Sequence, residues 1–154
     1  MMEQTIAHLL GAVVRAMEAE LLRRLHADGY ADIRAAHFAV FRHLAPDGSR
    51  ITELAERAQM TKQSVGELVS YLESRGYLQR QPDPSDGRVR IIKLTTRGER
   101  SRAAAFEAFH DIETAWRDEV GPRRVAELRT TLAKIAALEP PAPTEASRTA
   151  PRAR

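Results

Sequence analysis

Five polar side chains lie close together in one short stretch of this sequence, and all of them can form hydrogen bonds. They are Thr61, Lys62, Gln63, Ser64 and Glu67. Val65, Leu68 and Leu72 recur at helical spacing, so the polar residues lie on the opposite face of one helix. Such groups at the N-terminal end of a helix are suited to reading base edges in the major groove of DNA. The alternative interpretation is that this face is only solvated.

A helix-turn-helix is the element that would position this polar face. Apolar residues at 51, 54, 55 and 58 predict a short first helix, which Gln59 and Met60 end. Thr61 is suited to the N-cap of the second helix, because its hydroxyl can accept a hydrogen bond from a free backbone N–H. Gly76 is suited to the position just after the helix end. We therefore predict a reading helix over about residues 61–75.

A β-hairpin is predicted directly after this helix. Two β-prone runs, 77–81 and 88–94, are separated by prolines and by Asp86-Gly87, a pair that accommodates the positive φ angles of a tight turn. Arg88 and Arg90 would project from one side of the second strand, close enough to the turn to follow a narrow groove of negative potential. The alternation of apolar and polar residues fails at Ile91-Ile92, so the pattern does not show which face of that strand is buried.

Four fragments of this region together resemble the MarR family of bacterial transcription regulators. They are Met-Thr-Lys-Gln-Ser-Val at 60–65, Leu-Glu-Ser-Arg-Gly-Tyr-Leu at 72–78, Asp-Pro-Ser-Asp-Gly-Arg at 83–88 and Leu-Thr-Thr-Arg-Gly at 94–98. The resemblance implies a winged helix-turn-helix in which the helix from Thr61 reads the major groove. It also implies that Arg88 enters the minor groove and that Asp86 orients it. Most regulators of this family are repressors that a small organic effector releases from DNA.

Composition fits one domain with a core built mainly from aliphatic side chains. The chain has 154 residues, of which 43% are hydrophobic and 5% aromatic, with a net charge of +3. Residues 50–100 hold ten basic and seven acidic residues, so the positive excess lies where groove contacts are proposed. The absence of cysteine excludes disulfides, thiolate metal sites and the thiol-oxidation switch of some MarR-family regulators.

Neither a membrane protein nor an enzyme is expected. No apolar run reaches the roughly 18 to 20 residues of a membrane span, and the N-terminus lacks a signal-peptide core, so we expect a cytoplasmic protein. No glycine-rich phosphate loop or nucleophile turn occurs. The five histidines form no metal-ligand pattern, so we expect neither a metal nor another cofactor.

The flanking helices predict a homodimer. Helices are predicted over about 5–26, 32–44, 96–119 and 122–138, with a capping box at 96–99. One-sided apolar stripes at both ends of the sequence indicate an interface between chains. A two-fold dimer would match a pseudo-palindromic operator in double-stranded DNA, with half-sites about 34 Å apart.

The predicted fold is mainly α with a small β wing, in which dimerisation helices flank a winged helix-turn-helix. Residues 1–30 form an N-terminal dimerisation helix, and residues 31–98 form the DNA-binding domain with its wing at about 77–94. Residues 99–138 form C-terminal dimerisation helices. Residues 139–154, rich in proline and small residues, form a disordered tail that is either inert or contacts DNA.

The family resemblance also implies an effector site where the dimerisation helices meet the DNA-binding domain. Candidate lining residues are His8, His37, Phe38, Phe41, Phe106 and His110, together with Phe109 and Trp116. They would supply aromatic walls with a few polar groups. The alternative is that these aromatic residues are ordinary core.

A helical adaptor that uses a winged-helix scaffold to hold a protein is the alternative function. Salt would discriminate between the two functions. A DNA reader that neutralises about five to eight phosphates loses affinity steeply as salt rises, whereas an adaptor tolerates high salt.

Overall fold

The structure is a computed structural model that describes residues 5–138, and it confirms a mainly helical fold with a small antiparallel sheet. The predicted tail at 139–154 lies outside the described residues. In chain order the helices are α1 (Ile6–Ala27), α2 (Phe38–His43), α3 (Ile51–Arg57), α4 (Lys62–Ser74), α5 (Thr96–Val120) and α6 (Pro122–Ala136). The strands are β1 (Ser49–Arg50), β2 (Leu78–Asp83) and β3 (Asp86–Leu94). A 3-10 turn at Ala35–His37 precedes α2.

The reading helix α4 has the ends that the sequence predicts. The Thr61 hydroxyl accepts a hydrogen bond from the Ser64 backbone N–H at 3.1 Å, which satisfies one of the free donors of the first turn. Gly76, just beyond the C-cap Arg75, has a φ of 74°. Its lack of a Cβ permits this left-handed conformation. Gln59, at the turn between α3 and α4, also has a positive φ, of 53°.

The segment before α2 is less helical than predicted. A continuous helix over 32–44 was expected, but the regular α-helix begins only at Phe38, after the 3-10 turn. The Nδ1 atom of His37 accepts a hydrogen bond from the Arg34 backbone N–H at 3.0 Å. Because this local bond satisfies a donor that would otherwise need a helical partner, the segment does not need to start as an α-helix.

The wing differs from the predicted hairpin at its turn. Asp86 and Gly87 belong to β3, Gly87 has no positive φ, and the turn is instead made by Pro84 and Ser85. The Asp83 carboxylate builds this turn by accepting hydrogen bonds from the Ser85 backbone N–H at 2.8 Å and from its hydroxyl at 2.6 Å.

A third strand makes β3 the central strand of the sheet. The sheet order is β1-β3-β2, so β3 is central, and the short β1 was not predicted. Ser49 pairs with Ile92, and Arg50 pairs with Ile91. Both isoleucines are buried on opposite faces of the sheet: Ile92 belongs to the hydrophobic core, whereas Ile91 pairs with Arg50 and Gln81.

The long helix α5 begins one residue away from the predicted cap. Thr95, rather than Thr96, accepts a hydrogen bond through its hydroxyl from the Gly98 backbone N–H at 3.1 Å. Gly98 lies against Tyr77, the residue just before β2, and a Cβ added there would be only 2.1 Å from the Tyr77 carbonyl oxygen. The helix can therefore approach the start of the wing only with glycine at this position.

The chain divides into two compact units, with the boundary between Ile112 and Glu113. In the first unit, α1, α2, α3, α4 and the sheet share a core that includes Leu21, Leu25, Ile33, Leu54, Val65, Val69, Leu72 and Ile92. In the second unit, Gly121 has a φ of 95° and Pro122 is the first residue of α6, as predicted. Within residues 5–138, no helix combines the length and apolarity that a membrane crossing requires.

Candidate nucleic-acid interface

The N-terminal end of α4 presents the predicted polar face. Thr61, Lys62, Gln63 and Glu67 are exposed, and Ser64 is half-buried. The Gln63 amide donates to the Glu67 carboxylate at 3.2 Å, and the Thr61 and Ser64 hydroxyls lie 2.8 Å apart. These bonds hold the short side chains in place, whereas Lys62 has no hydrogen-bond or ion-pair partner among residues 5–138. Its ammonium group is free to meet an external anion.

The wing places two further cations in solvent. Arg88 and Arg90 are exposed, and neither guanidinium group has an ion-pair partner in the described part of the chain. The Asp86 carboxylate accepts a hydrogen bond at 3.0 Å from the backbone N–H of Arg88, not from its guanidinium group. Asp86 therefore fixes the backbone from which Arg88 projects and leaves the charged end of Arg88 unpaired.

An ion pair fixes the wing tip to the strand beside it. The Arg50 guanidinium donates to the Asp83 carboxylate from Nε at 2.9 Å and from Nη2 at 2.5 Å. Hydrogen bonds from Ser85 and from Arg50 hold the pKa of Asp83 well below its usual range. Asp83 is therefore ionised at neutral pH, and its negative charge is paired with Arg50 within the same sheet.

A polar cluster that the sequence did not predict joins the start of the wing to α5. The Tyr77 hydroxyl donates to the Asp32 carboxylate at 2.5 Å, and Arg97 donates to the Tyr77 hydroxyl at 3.0 Å. The Arg97 guanidinium also lies over the Tyr77 ring, 4.6 Å from its centroid. We call Asp32, Tyr77 and Arg97 the anchor cluster. Its members are 45 and 20 residues apart in sequence, so no local pattern could have indicated it.

The anchor cluster contains an ionised acid beside a neutral phenol. Burial, and then the hydrogen bond to Asp32, raise the pKa of Tyr77 to about 12. Burial alone would raise the pKa of Asp32, but the hydrogen bonds from Tyr77 and from the backbone, with the Arg97 charge, hold it below its ordinary value. At neutral pH the cluster therefore consists of a carboxylate, a neutral phenol and a guanidinium group, each with a partner.

A cavity of about 570 Å³ lies in the first unit, between α1, α2 and α5. Its walls are mainly apolar, and they include three of the predicted effector residues, Phe38, Phe41 and Phe106, together with Phe109. Leu21, Leu25, Ile33 and Ala105 add aliphatic surface, while Glu18 and Arg42, whose side chains lie 3.4 Å apart, add charge. Its volume and lining are typical of a site for a small organic molecule.

The histidines predicted for this site are not among the residues that line the cavity. His8 lies on an exposed part of α1, and His110 is exposed on α5. His37 is buried, but its ring stacks on Tyr71 of α4, with centroids 4.8 Å apart and an interplanar angle of 18°. Trp116 is half-buried in the second unit.

His37 is a neutral structural histidine. Burial, and then the nearby Arg34 charge, lower the pKa of His37. The neutral ring leaves Nδ1 as the acceptor for the Arg34 backbone N–H. Within residues 5–138, no three His, Asp or Glu side chains are grouped as ligands for a metal ion.

Comparisons with known proteins agree with this geometry. Residues 31–89, which contain the helix-turn-helix and the first part of the wing, match the model of the MarR family. The transcriptional regulator HosA of Escherichia coli O111:H- is 37% identical over 76 residues, which are 49% of this chain and 56% of that relative. The chain thus spans little more than half the length of this curated relative.

Solved structures share the fold over most of both chains. The reduced form of MarR from E. coli superposes with a TM-score of 0.72 at 23% identity, over 85% of this chain and 96% of that one. CouR from Rhodococcus jostii RHA1, solved with p-coumaroyl-CoA bound, superposes with a TM-score of 0.65 at 25% identity, over 91% of this chain and 95% of that one.

Proposed function

Because this chain belongs to the MarR family of transcriptional regulators, we propose that it is a homodimer that binds a pseudo-palindromic operator in double-stranded DNA. Helix α4 would enter the major groove, with Thr61, Lys62, Gln63, Ser64 and Glu67 toward the bases. The wing would follow the neighbouring minor groove with Arg88 and Arg90. Such a regulator would act in the cytoplasm.

The observation that carries this proposal is that some cations of the DNA-binding domain have hydrogen-bond or ion-pair partners within the protein and others have none. Arg50 donates hydrogen bonds to Asp83, and Arg97 donates to Tyr77, so both guanidinium groups stabilise the fold. Lys62, Arg88 and Arg90 are exposed and have no acidic partner within residues 5–138. Unpaired cations at a helix start and on a wing are suited to contact phosphates and groove edges, because DNA binding would not break an ion pair within the protein.

Two sets of exposed apolar side chains support a homodimer. On α1, Ile6 is 71% exposed, and Leu9 and Val13 are also exposed. In the second unit, Leu138 is 70% exposed, and Leu128 and Ile135 are exposed as well. Large apolar residues at helical spacing are unfavourable in water, and a second copy of the chain would cover them. Residues 1–30 and 99–138 would therefore serve as dimerisation segments.

The cavity supports a response to a small organic effector. Its apolar walls and its volume fit a ligand with an aromatic or aliphatic body. CouR, a structural neighbour, was solved with p-coumaroyl-CoA bound. An effector that binds more tightly to a dimer whose two DNA-binding domains are wrongly spaced for the operator would release the DNA. Without the effector, the protein would stay on the operator and repress transcription.

Salt-dependent binding to the promoter beside the protein's own gene tests the proposal, with a scrambled duplex of equal length as the comparison. We expect a preference of about a thousandfold for the promoter, and an affinity that falls with salt by about 0.9 in log–log slope for each phosphate neutralised. Sedimentation equilibrium should give the mass of a dimer. Weak, equal and salt-insensitive binding to both duplexes would contradict DNA reading and favour the helical adaptor.

A further inference from the structure

Tyr71, near the C-terminal end of α4, contacts the segment that precedes α2. Its hydroxyl donates to the Asp32 backbone carbonyl at 3.1 Å, and its ring stacks on His37. The Arg34 guanidinium also lies over this ring, 5.7 Å from its centroid. These contacts come from residues 32–37, which precede α2, so Tyr71 adds polar and ring contacts to the core packing between this segment and α4.

The same segment supplies part of the cavity wall. Ile33, next to Asp32, is 1% exposed and lines the cavity, as does Phe38, next to His37. The His26 ring contacts the Ile33 carbonyl at 2.8 Å, which ties the segment to α1. Adjacent residues of one segment thus contact the cavity and Tyr71. Because the segment is a 3-10 turn with its neighbours instead of a regular α-helix, it has few repeating backbone bonds to resist a shift.

We propose that Tyr71 is a positioning residue and that the hydrogen bond from its hydroxyl to the Asp32 carbonyl transmits occupancy of the cavity to the reading helix. A molecule in the cavity displaces Ile33 and Phe38, and their segment carries Tyr71, and with it α4, to a new position. Lys62 and Gln63, at the other end of the 13-residue helix, then no longer meet the bases in register. The proposal rests on the proposed function, since it assumes that α4 reads DNA and that the cavity controls it.

A variant that fills the cavity tests this without a known effector. Ala105 is half-buried on α5 and lines the cavity, so Ala105→Phe places a ring in the space that a ligand would occupy. Ala103→Phe, at an exposed position on the same helix that does not line the cavity, is the control. Ala105→Leu serves if the larger variant does not fold.

Each filling variant is then combined with Tyr71→Phe, which removes the hydroxyl bond and keeps the ring. Tyr30→Phe is the matched control, because the Tyr30 hydroxyl has no hydrogen-bond partner in the described part of the chain. We expect Ala105→Phe to weaken promoter binding about tenfold in the wild-type and Tyr30→Phe backgrounds. In the Tyr71→Phe background the same change should weaken binding less than threefold. A loss of threefold or more there would overturn the role of Tyr71.

Hydrogen exchange of the α4 amides separates failure of this inference from failure of the proposed function. We expect Ala105→Phe to speed exchange in α4 in the wild-type background but not with Tyr71→Phe. If exchange follows this pattern while promoter affinity does not change, the Tyr71 link stands and cavity control of DNA binding fails. If Ala105→Phe changes neither exchange nor affinity in the wild-type background, the Tyr71 link is overturned. Failure of the unmodified protein to prefer the promoter would instead contradict the proposed function.

Discussion

The wing and the anchor cluster use the same kinds of side chain in opposite ways. In the anchor cluster, Arg97 is held by a phenol and lies near a carboxylate, and Tyr77 is fully buried. On the wing, Arg88 and Arg90 are exposed and lack such partners within residues 5–138. Partnered polar groups hold the domain together, whereas unpartnered ones are available to another molecule. Pairing, more than residue type, therefore separates structural arginines from candidate DNA contacts.

The largest effect is expected at the contact between α5 and the anchor cluster. Gly98→Ala should lower the free energy of unfolding by about 3 kcal/mol, because its Cβ would overlap the Tyr77 carbonyl and neither backbone can move freely. Chemical denaturation measures this change. Gly66→Ala on α4 is the control, since nothing lies within 4 Å of the added Cβ, and it should stabilise the protein by up to about 1 kcal/mol. Equal effects at both glycines would contradict the close packing at Gly98.

On the wing, Arg88→Ala should weaken binding to promoter and scrambled duplexes alike, by about twentyfold at low salt. One lost phosphate or groove contact should also reduce the log–log salt slope by about 0.9. Fluorescence anisotropy over a salt series gives both values. Arg80→Ala is the matched control, because Arg80 is already engaged by Ser70 at 3.1 Å and Glu73 at 3.3 Å. A loss as large for Arg80 as for Arg88 would remove the distinction between partnered and unpartnered arginines.

The reading helix should determine which sequences are preferred. Gln63→Ala should change the preference among single-base-pair variants of the operator by about tenfold, since base contacts of this kind discriminate by about 1–3 kcal/mol. A competition assay with a set of such duplexes measures it. Gln79→Ala, an exposed glutamine on β2, should leave the order of preference unchanged. If Gln63→Ala weakens binding to every duplex equally, Gln63 is not a base reader.

The smallest effect is expected at His37, beside Tyr71. Its lowered pKa means that the unfolded chain binds a proton more readily than the folded one. The free energy of unfolding should therefore fall as pH drops below about 6.5, the ordinary value for histidine. His37→Asn retains an acceptor for the Arg34 N–H and should flatten this dependence, as denaturation at several pH values will reveal. His8→Asn, at an exposed site, should not, and equal flattening by both variants would contradict a buried neutral His37.

The sequence by itself determined the parts of the fold that depend on local geometry. The cap at Thr61, the left-handed Gly76 and the Gly121-Pro122 boundary all follow from the backbone preferences of single residues. The exposed polar face at 61–67 follows from helical periodicity. Where two local signals competed, the prediction was wrong by a small shift. Thr95 replaced Thr96 as the cap of α5, and Pro84-Ser85 replaced Asp86-Gly87 as the turn of the wing.

Only the tertiary structure decided which distant residues meet. Pairing with β1 made β3 a central strand, and packing buried Ile91 and Ile92 on opposite faces of the sheet, which the sequence pattern could not show. Asp32 and Tyr77 come together across 45 residues, and no periodicity records such a contact. The cavity, likewise, exists because helices from both ends of the first unit leave space between them. The sequence thus indicated the groups that we propose as DNA contacts, but three-dimensional packing determined how those groups are held.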